Sequence, residues 1–374
     1  MKWPLALVFF LFPVFAVFAQ DSPVPEYYNT TLINIPAAET NSTAAIAAFI
    51  NSHYTNDQQK LWAAYSWVAG NIRYDTDSMY FINSGHDSSE RISGALRRRK
   101  GVCENFAAIF NDIASKCGLE CYEVTGYTKQ YGAVDKSAHT WCAVKLNGNW
   151  FLCDPTWDAG NSSSAKYFLV APDQFIKSHM PFDPLWQLLD HPISHNEFYS
   201  GIINYGKRNA TLNYKDSVEK YLRMGELEQL KSSASRINNA GIKNDLTRAR
   251  LAYVNMQVSI IEQEKDLADY NAAVSGFNNA NDLYNAFIRY RNDNFVPKKD
   301  DAEIRKMLLP IDAILAMAGK KIKELDSSES NFQYNTASLK SRIEDLQYKT
   351  RIQKEFLKKY FETAPSEREN LFYE

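Results

Sequence analysis

The stretch AHTWCAVKLNGNWFLCDPTW, residues 138–157, holds two apolar runs joined by Asn147 and Gly148. Asn-Gly between such runs is the strongest short signal for a two-residue hairpin loop, because both residues accept the positive φ of a type I′ turn. With that loop, Leu146 opposes Asn149, and the pairing runs outward until Cys142 opposes Cys153 and Trp141 opposes Asp154. Side chains alternate across a strand, so His139, Trp141 and Asp154 share one face while Cys142 and Cys153 share the other. His139 and Asp154 become diagonal neighbours, about 7 to 8 Å apart at the backbone and within side-chain reach. Taken alone, the pair is either a satisfied structural contact or an imidazole oriented by a carboxylate.

Upstream, GVCENFAAIFNDIASKCGL, residues 101–119, reads as a helix. Phe106, Phe110 and Ile113 mark one face, and Gly118 is a natural stop. Cys103 falls at the helix N-terminus, where unpaired N–H groups and the macrodipole favour an anion, and a thiolate is such an anion. Cys117 lies about four turns further on and cannot share that advantage. Cys103, His139 and Asp154 therefore supply what acyl transfer through a thiol needs: a nucleophile, a base that takes and returns its proton, and an acid group fixing the imidazole tautomer. Asp158, beyond the strand, is expected to matter little. No metal set competes, since only Cys103 and His139 are candidate ligands near each other, and no phosphate-binding glycine loop or other cofactor motif is present.

The segments GVCENFA, GYT and SAHTWCAVKLNGNWFLCDPTWDAG resemble the core of the transglutaminase-like superfamily, in particular bacterial relatives of the kyphoscoliosis peptidase. The shared pattern is a Cys at a helix start, His-x-Trp on a strand and Asp-x-Thr-Trp after the next; it maps onto Cys103, onto His139 with Trp141, and onto Asp154 with Thr156 and Trp157. The match runs from about 58 to 195 and takes in DPLWQLLDHPISHNEF. The resemblance implies a papain-like α+β core, its Cys helix packed on an antiparallel sheet, and amide cleavage or acyl transfer through a thioester. Two departures stand out: Cys142 follows the motif Trp where relatives often carry Asn, and Cys153 replaces an aliphatic residue. Both point away from the active face and are placed either for a cross-strand disulfide or as free thiols. The backbone N–H of Cys103 is one candidate oxyanion donor, and the WVAGNIRYD segment, residues 67–75, is a source for a second.

The rest of the chain sets the frame. Its 374 residues carry a formal charge of −2, which argues against general binding to nucleic acid or to anionic membranes. Residues 1–19 read as a signal peptide cut after Ala19, with no stable membrane insertion, so the mature chain is expected to be secreted or periplasmic. All seven Trp and all five Cys precede residue 187, and no Pro occurs from 193 to 296. That change of character divides the chain into an N-terminal segment (20–57), a transglutaminase-like domain (58–200), a linker (201–214) and a helical bundle (215–374) of three or four antiparallel helices. Apolar stripes carry the bundle: Leu227, Leu230, Ala234, Ile237; Leu251, Val254, Val258, Ile261; Leu267, Tyr270, Val274, Phe277; and Ile304, Leu308, Ile311, Leu315, Ala318, Ile322, Leu325. Asp300 with Glu303 gives a start signal, and Pro310 must kink the last helix or open a second one. Two functions fit: a secreted cysteine peptidase or acyltransferase acting on peptide or protein amides, or a non-catalytic surface scaffold that keeps the fold and holds a protein partner on its helical domain.

Overall fold

The computed structural model describes residues 34–78, 88–160, 166–203, 213–326 and 335–373. The expected signal peptide and most of the expected linker lie outside the described residues. The chain divides into two compact units, residues 1–181 and 182–374.

In the first unit two helices come first, α1 (Thr43–His53) and α2 (Asp57–Asn71). Each has the cap its sequence offers: Ser42 accepts from the Ala45 N–H, and Asn56 from those of Gln58 and Gln59. Strand β1 (Arg73–Tyr74), helix α3 (Ser88–Arg98), strand β2 (Lys100–Gly101) and helix α4 (Cys103–Lys116) follow. Helix α4 ends where Gly118 takes φ +83°, a conformation that suits glycine.

Strands β3 (Glu120–Gln130), β4 (Ala133–Leu146), β5 (Asn149–Cys153) and β6 (His179–Pro181) make one antiparallel sheet in the order β5-β4-β3-β6. Asn147 and Gly148 take φ of 50° and 75°, and the β4–β5 register runs from Leu146 opposite Asn149 to Cys142 opposite Cys153, as the hairpin signal dictates. The ladder then stops. Trp141 was expected to face Asp154, but Pro155 has no N–H to continue the pairing, and Asp154 turns its own carboxylate back to accept from the N–H of Thr156 and Trp157. Helix α4 covers one sheet face, where Phe106, Phe110 and Ile113 join Ile46, Ile50, Leu61, Tyr65 and Val144 in one core.

Arg99 and Lys100, the two basic residues nearest Cys103, have structural roles. Arg99, at φ 50°, donates to Thr40 and lies over the Trp67 ring, while Lys100 bridges Asp75 and Asp77.

The second unit is helical, with α6 (His195–Ser200), α7 (Tyr214–Leu222), α8 (Glu226–Ala240), α9 (Asp245–Asn292), α10 (Asp301–Lys306), α11 (Leu309–Asp326) and α12 (Thr336–Glu362); a single turn of helix in the first unit, α5, spans Pro172–Phe175. More helices form than the stripes suggest, for identifiable reasons. Asp300 and Glu303 exchange hydrogen bonds and open the short α10, and Pro310 sits in the first turn of a second start, where its missing N–H is not needed. All seven apolar residues of the Ile304–Leu325 stripe are buried, against Ala273, Phe277 and Ala280 of α9 and Leu339, Ile343 and Leu346 of α12. The stripes around Val254 and Phe277 lie on the single 48-residue α9, where Leu267 departs from its stripe at 48% exposure. No helix among the described residues is long and apolar enough to cross a membrane.

Candidate active site

The first turn of α4 is set by its neighbours. Val102 is the residue before the helix and has no side-chain acceptor, so Asn105 closes the turn from the other side, accepting the Val102 N–H at 2.9 Å and donating to the Arg91 carbonyl at 3.1 Å. Gly101 leaves room for this, because a Cβ there would come within 2.7 Å of Asn105 Cβ. Cys103 opens the helix half-buried. Strand β1 runs parallel to β2 with Tyr74 opposite Gly101, which brings the 67–75 segment alongside the chain that leads into the thiol.

His139, on β4, is 8% exposed. Its Nε2 lies 2.7 Å from Asp154 Oδ2, and Cys103 lies close enough to the same imidazole to favour its charged form. With Nε2–H directed at Asp154, Nδ1 is the nitrogen left to accept the thiol proton. The structure thus brings Cys103, His139 and Asp154 into one connected set.

Asp154 is fully buried and fully engaged. Oδ1 accepts from the backbone of Thr156 and Trp157, and Oδ2 from His139 and, at 3.1 Å, from Nε2 of His179. Burial opposes charge on both partners of the central pair, and their mutual attraction overcomes it. For His139, burial acts downward, but the charge and hydrogen bond of Asp154, with smaller help from Cys103, raise it to about 10. For Asp154, burial acts upward, and His139 first and His179 second bring it well below the carboxylate range.

The sequence reading missed His179. It lies on β6 with a 0% exposed ring, stacked on Phe175 at 4.0 Å, against Trp157 at 4.3 Å and edge-on to Trp141 at 5.2 Å. Burial first, and the neighbouring His139 charge, pull it down to about 4 against the pull of Asp154, which leaves it neutral near pH 7. Its ligand-capable nitrogen completes a set with His139 and Asp154 whose donor atoms lie within 4.8 Å of one another, so the view that only Cys103 and His139 come together as candidate metal ligands does not hold. Those donors are hydrogen-bonded to each other as the site stands. Asp158 also differs from expectation: it is buried and accepts from Tyr65 Oη at 2.7 Å and the Tyr167 N–H at 2.9 Å, which ties α2 to the loop behind Asp154.

All five cysteines are free thiols. Cys142 and Cys153 are opposite in register, yet the Cys142 thiol turns to the Ala107 carbonyl at 3.4 Å and Cys153 Sγ accepts from the Leu169 N–H at 3.3 Å. Burial pushes both thiols well up, and Cys117 to about 11. A cleft of 540 Å³ is lined by Lys129, Tyr131, Trp157, Lys166, Tyr167 and Ser178 among others, and its Trp157 and Tyr167 also contact the His179 ring.

The fold and this set define a transglutaminase-like module: residues 44–155, which hold Cys103, His139 and Asp154, match the model of the transglutaminase-like superfamily, and the chain carries a domain of that superfamily. Mouse kyphoscoliosis peptidase is 30% identical over 159 residues, 38% of this chain and 24% of the mouse protein; Drosophila melanogaster hillarin is 26% identical over 171 residues, 38% of this chain and 20% of hillarin. The chain therefore spans less than a quarter of the length of these curated relatives. A solved structure described as a TGase aligns with 35% of each chain at 17% identity and a TM-score of 0.25.

Proposed function

We propose that the chain is an exported cysteine peptidase or acyltransferase that acts on peptide or protein amides through a thioester on Cys103. The observation that carries this reading is the connected set of Cys103 thiol, His139 imidazole and Asp154 carboxylate at the start of a helix. Nδ1 of His139, whose ring Asp154 favours as imidazolium, already holds the thiol proton when Sγ bonds to the amide carbonyl carbon. Asp154 holds the ring in its Nε2–H tautomer and stabilises the imidazolium. The proton then passes to the leaving amine as the C–N bond breaks, and the thioester remains. Water or a second amine, deprotonated by the same imidazole, attacks the thioester and frees the thiol. The cleft lined by Trp157, Tyr167 and the two lysines offers the nearby space for a peptide chain. Export rests on the signal-like residues 1–19.

The test is turnover of peptide-amide and glutamine-containing protein substrates by the mature chain, with Cys103→Ala as control. Release of amine or incorporation of a labelled amine that the variant lacks supports the proposal; equal behaviour of the two proteins defeats it. A partner role for the helical unit accompanies this reading. It is favoured by a 420 Å³ groove that sets Leu308, Leu309, Leu357 and Phe361 beside Arg305 and Lys354.

A further inference from the structure

We propose that His179 is a positioning residue of the site, whose neutral imidazole donates Nε2–H to Asp154 and so keeps that carboxylate ionised and aimed at His139. The inference deepens the proposed function and rests on Cys103 and His139 being the reacting pair.

Three observations converge on it. First, the two imidazoles approach the same oxygen: Asp154 Oδ2 is 2.7 Å from Nε2 of His139 and 3.1 Å from Nε2 of His179. An oxygen with two N–H donors in a dry pocket is held in direction and in charge, because each donor stabilises the ionised form. Second, the far side of the ring is compatible with that direction. An ionised Asp154 only accepts, so Nε2 carries the proton, and Ser178 Oγ, 2.8 Å from Nδ1 and 3.4 Å from the Phe175 carbonyl, can donate to Nδ1 in preference to the longer contact. Third, the chain is built to bring this ring in. Thr128 pairs with His179 and Gly126 with Pro181 across β3 and β6, while Gly126 also stands opposite His139 across β3 and β4. A Cβ on Gly126 would collide with the Met180 carbonyl and with Trp141, so the glycine is what lets β6 lie close enough for His179 to reach Asp154.

The division of labour follows from charge. Two cations on one carboxylate would compete, and a second imidazolium would weaken the first. Phe175, Trp157 and Trp141 enclose His179 and disfavour its charge, so it contributes a dipole where His139 contributes a charge. The ionisable groups that face it are Asp154 and His139, Asp135 at greater range, where Thr128 Oγ1 donates to the carboxylate, and the Tyr167 ring at 5.7 Å.

The experiment is the pH profile of Cys103 alkylation by iodoacetamide, read by peptide mapping, in wild type, His179→Phe and His179→Gln. Phenylalanine keeps the ring packing and removes the donor; glutamine restores an Nε2–H. In folded His179→Phe the rate at pH 6 should fall about tenfold or more, and the acid limb should move to higher pH by about one unit, the scale of one lost hydrogen bond to a charged group. Glutamine should recover most of both. An unchanged profile in His179→Phe, or an equal loss in both variants, would overturn the donor role. Should His179→Phe not fold, nitrogen-15 spectra of wild-type imidazoles decide: a neutral Nε2–H form of His179 from pH 5 to 8 supports the assignment, and an Nδ1–H or charged form at pH 7 overturns it. Absence of fast Cys103 labelling in wild type would instead refute the reacting pair itself.

Discussion

Gly126 stands directly opposite His139 in the β3–β4 register, and the Cβ it lacks would occupy the space that Trp141 and the backbone of β6 share. The position of the imidazole and the closure of the sheet are thus set by one missing methyl group. Gly126→Ala should destabilise the fold by about 1 to 3 kcal/mol, the usual range for overpacking. Urea denaturation measures the loss. Slower Cys103 alkylation should accompany it, because β6 carries one of the donors to Asp154.

Asp154→Asn replaces a carboxylate that accepts from four N–H groups, two on each oxygen, with an amide whose NH2 must face one of those pairs or force a change of tautomer. Turnover of a peptide amide should fall on the order of a thousandfold or more, the scale seen when other triads lose their acid group. A serviceable comparison is Asp173→Asn, an acidic change on the short, partly exposed α5 of the same unit. Asp158 would not serve, since its carboxylate holds Tyr65 and the Tyr167 backbone and its loss would weaken the fold.

The three ionisable groups of the site give stability a definite pH dependence. His139 is raised to about 10 in the fold from about 6.5 in the unfolded chain, so its contribution is full below about 6.5 and is lost as pH rises through 10. His179 is lowered to about 4, so the unfolded chain takes up a proton that the fold refuses, and stability falls as pH drops from about 6.5 through 4. Asp154, lowered, adds stability above its unfolded value and gives it up as pH falls further. The combined contribution is greatest near pH 6.5. The difference between wild-type and Asp154→Asn urea midpoints should stay high from about pH 4 to 6.5, because burial lowers His179 in both proteins, and should shrink as pH rises towards 10; a flat difference across pH 4 to 10 would contradict the coupling.

Much of the sheet was legible because local chemistry dictates it. Asn147-Gly148 alone fixes the β4–β5 register down to Cys142 and Cys153, and Gly118 fixes the end of α4. The approach of His139 to Asp154 followed from that arithmetic, even though Pro155 ends the ladder one pair early. His179 was not legible. It sits on a strand of three residues, too short for an alternation to be read, and reaches the site through pairing with β3 fifty residues away in sequence, which no local pattern encodes. Asp158 failed for the same reason: its partner Tyr65 is on α2. In the second unit the stripes located the core of α11, while the division into α10 and α11 depended on what Pro310 does, which the spacing alone leaves open.

The central claim is that Cys103 and His139 form a reactive pair held by Asp154. The most direct measurement is brief iodoacetamide labelling of the folded protein near pH 6, mapped cysteine by cysteine, in wild type and in His139→Ala. Cys117, Cys121, Cys142 and Cys153 are buried, and Cys103 is the one half-exposed thiol, with an imidazole to take its proton. The account predicts that Cys103 labels far faster than the other four and that His139→Ala removes this advantage at pH 6. Labelling of Cys103 at the same rate in both proteins, or no faster than that of the buried thiols in wild type, would contradict it.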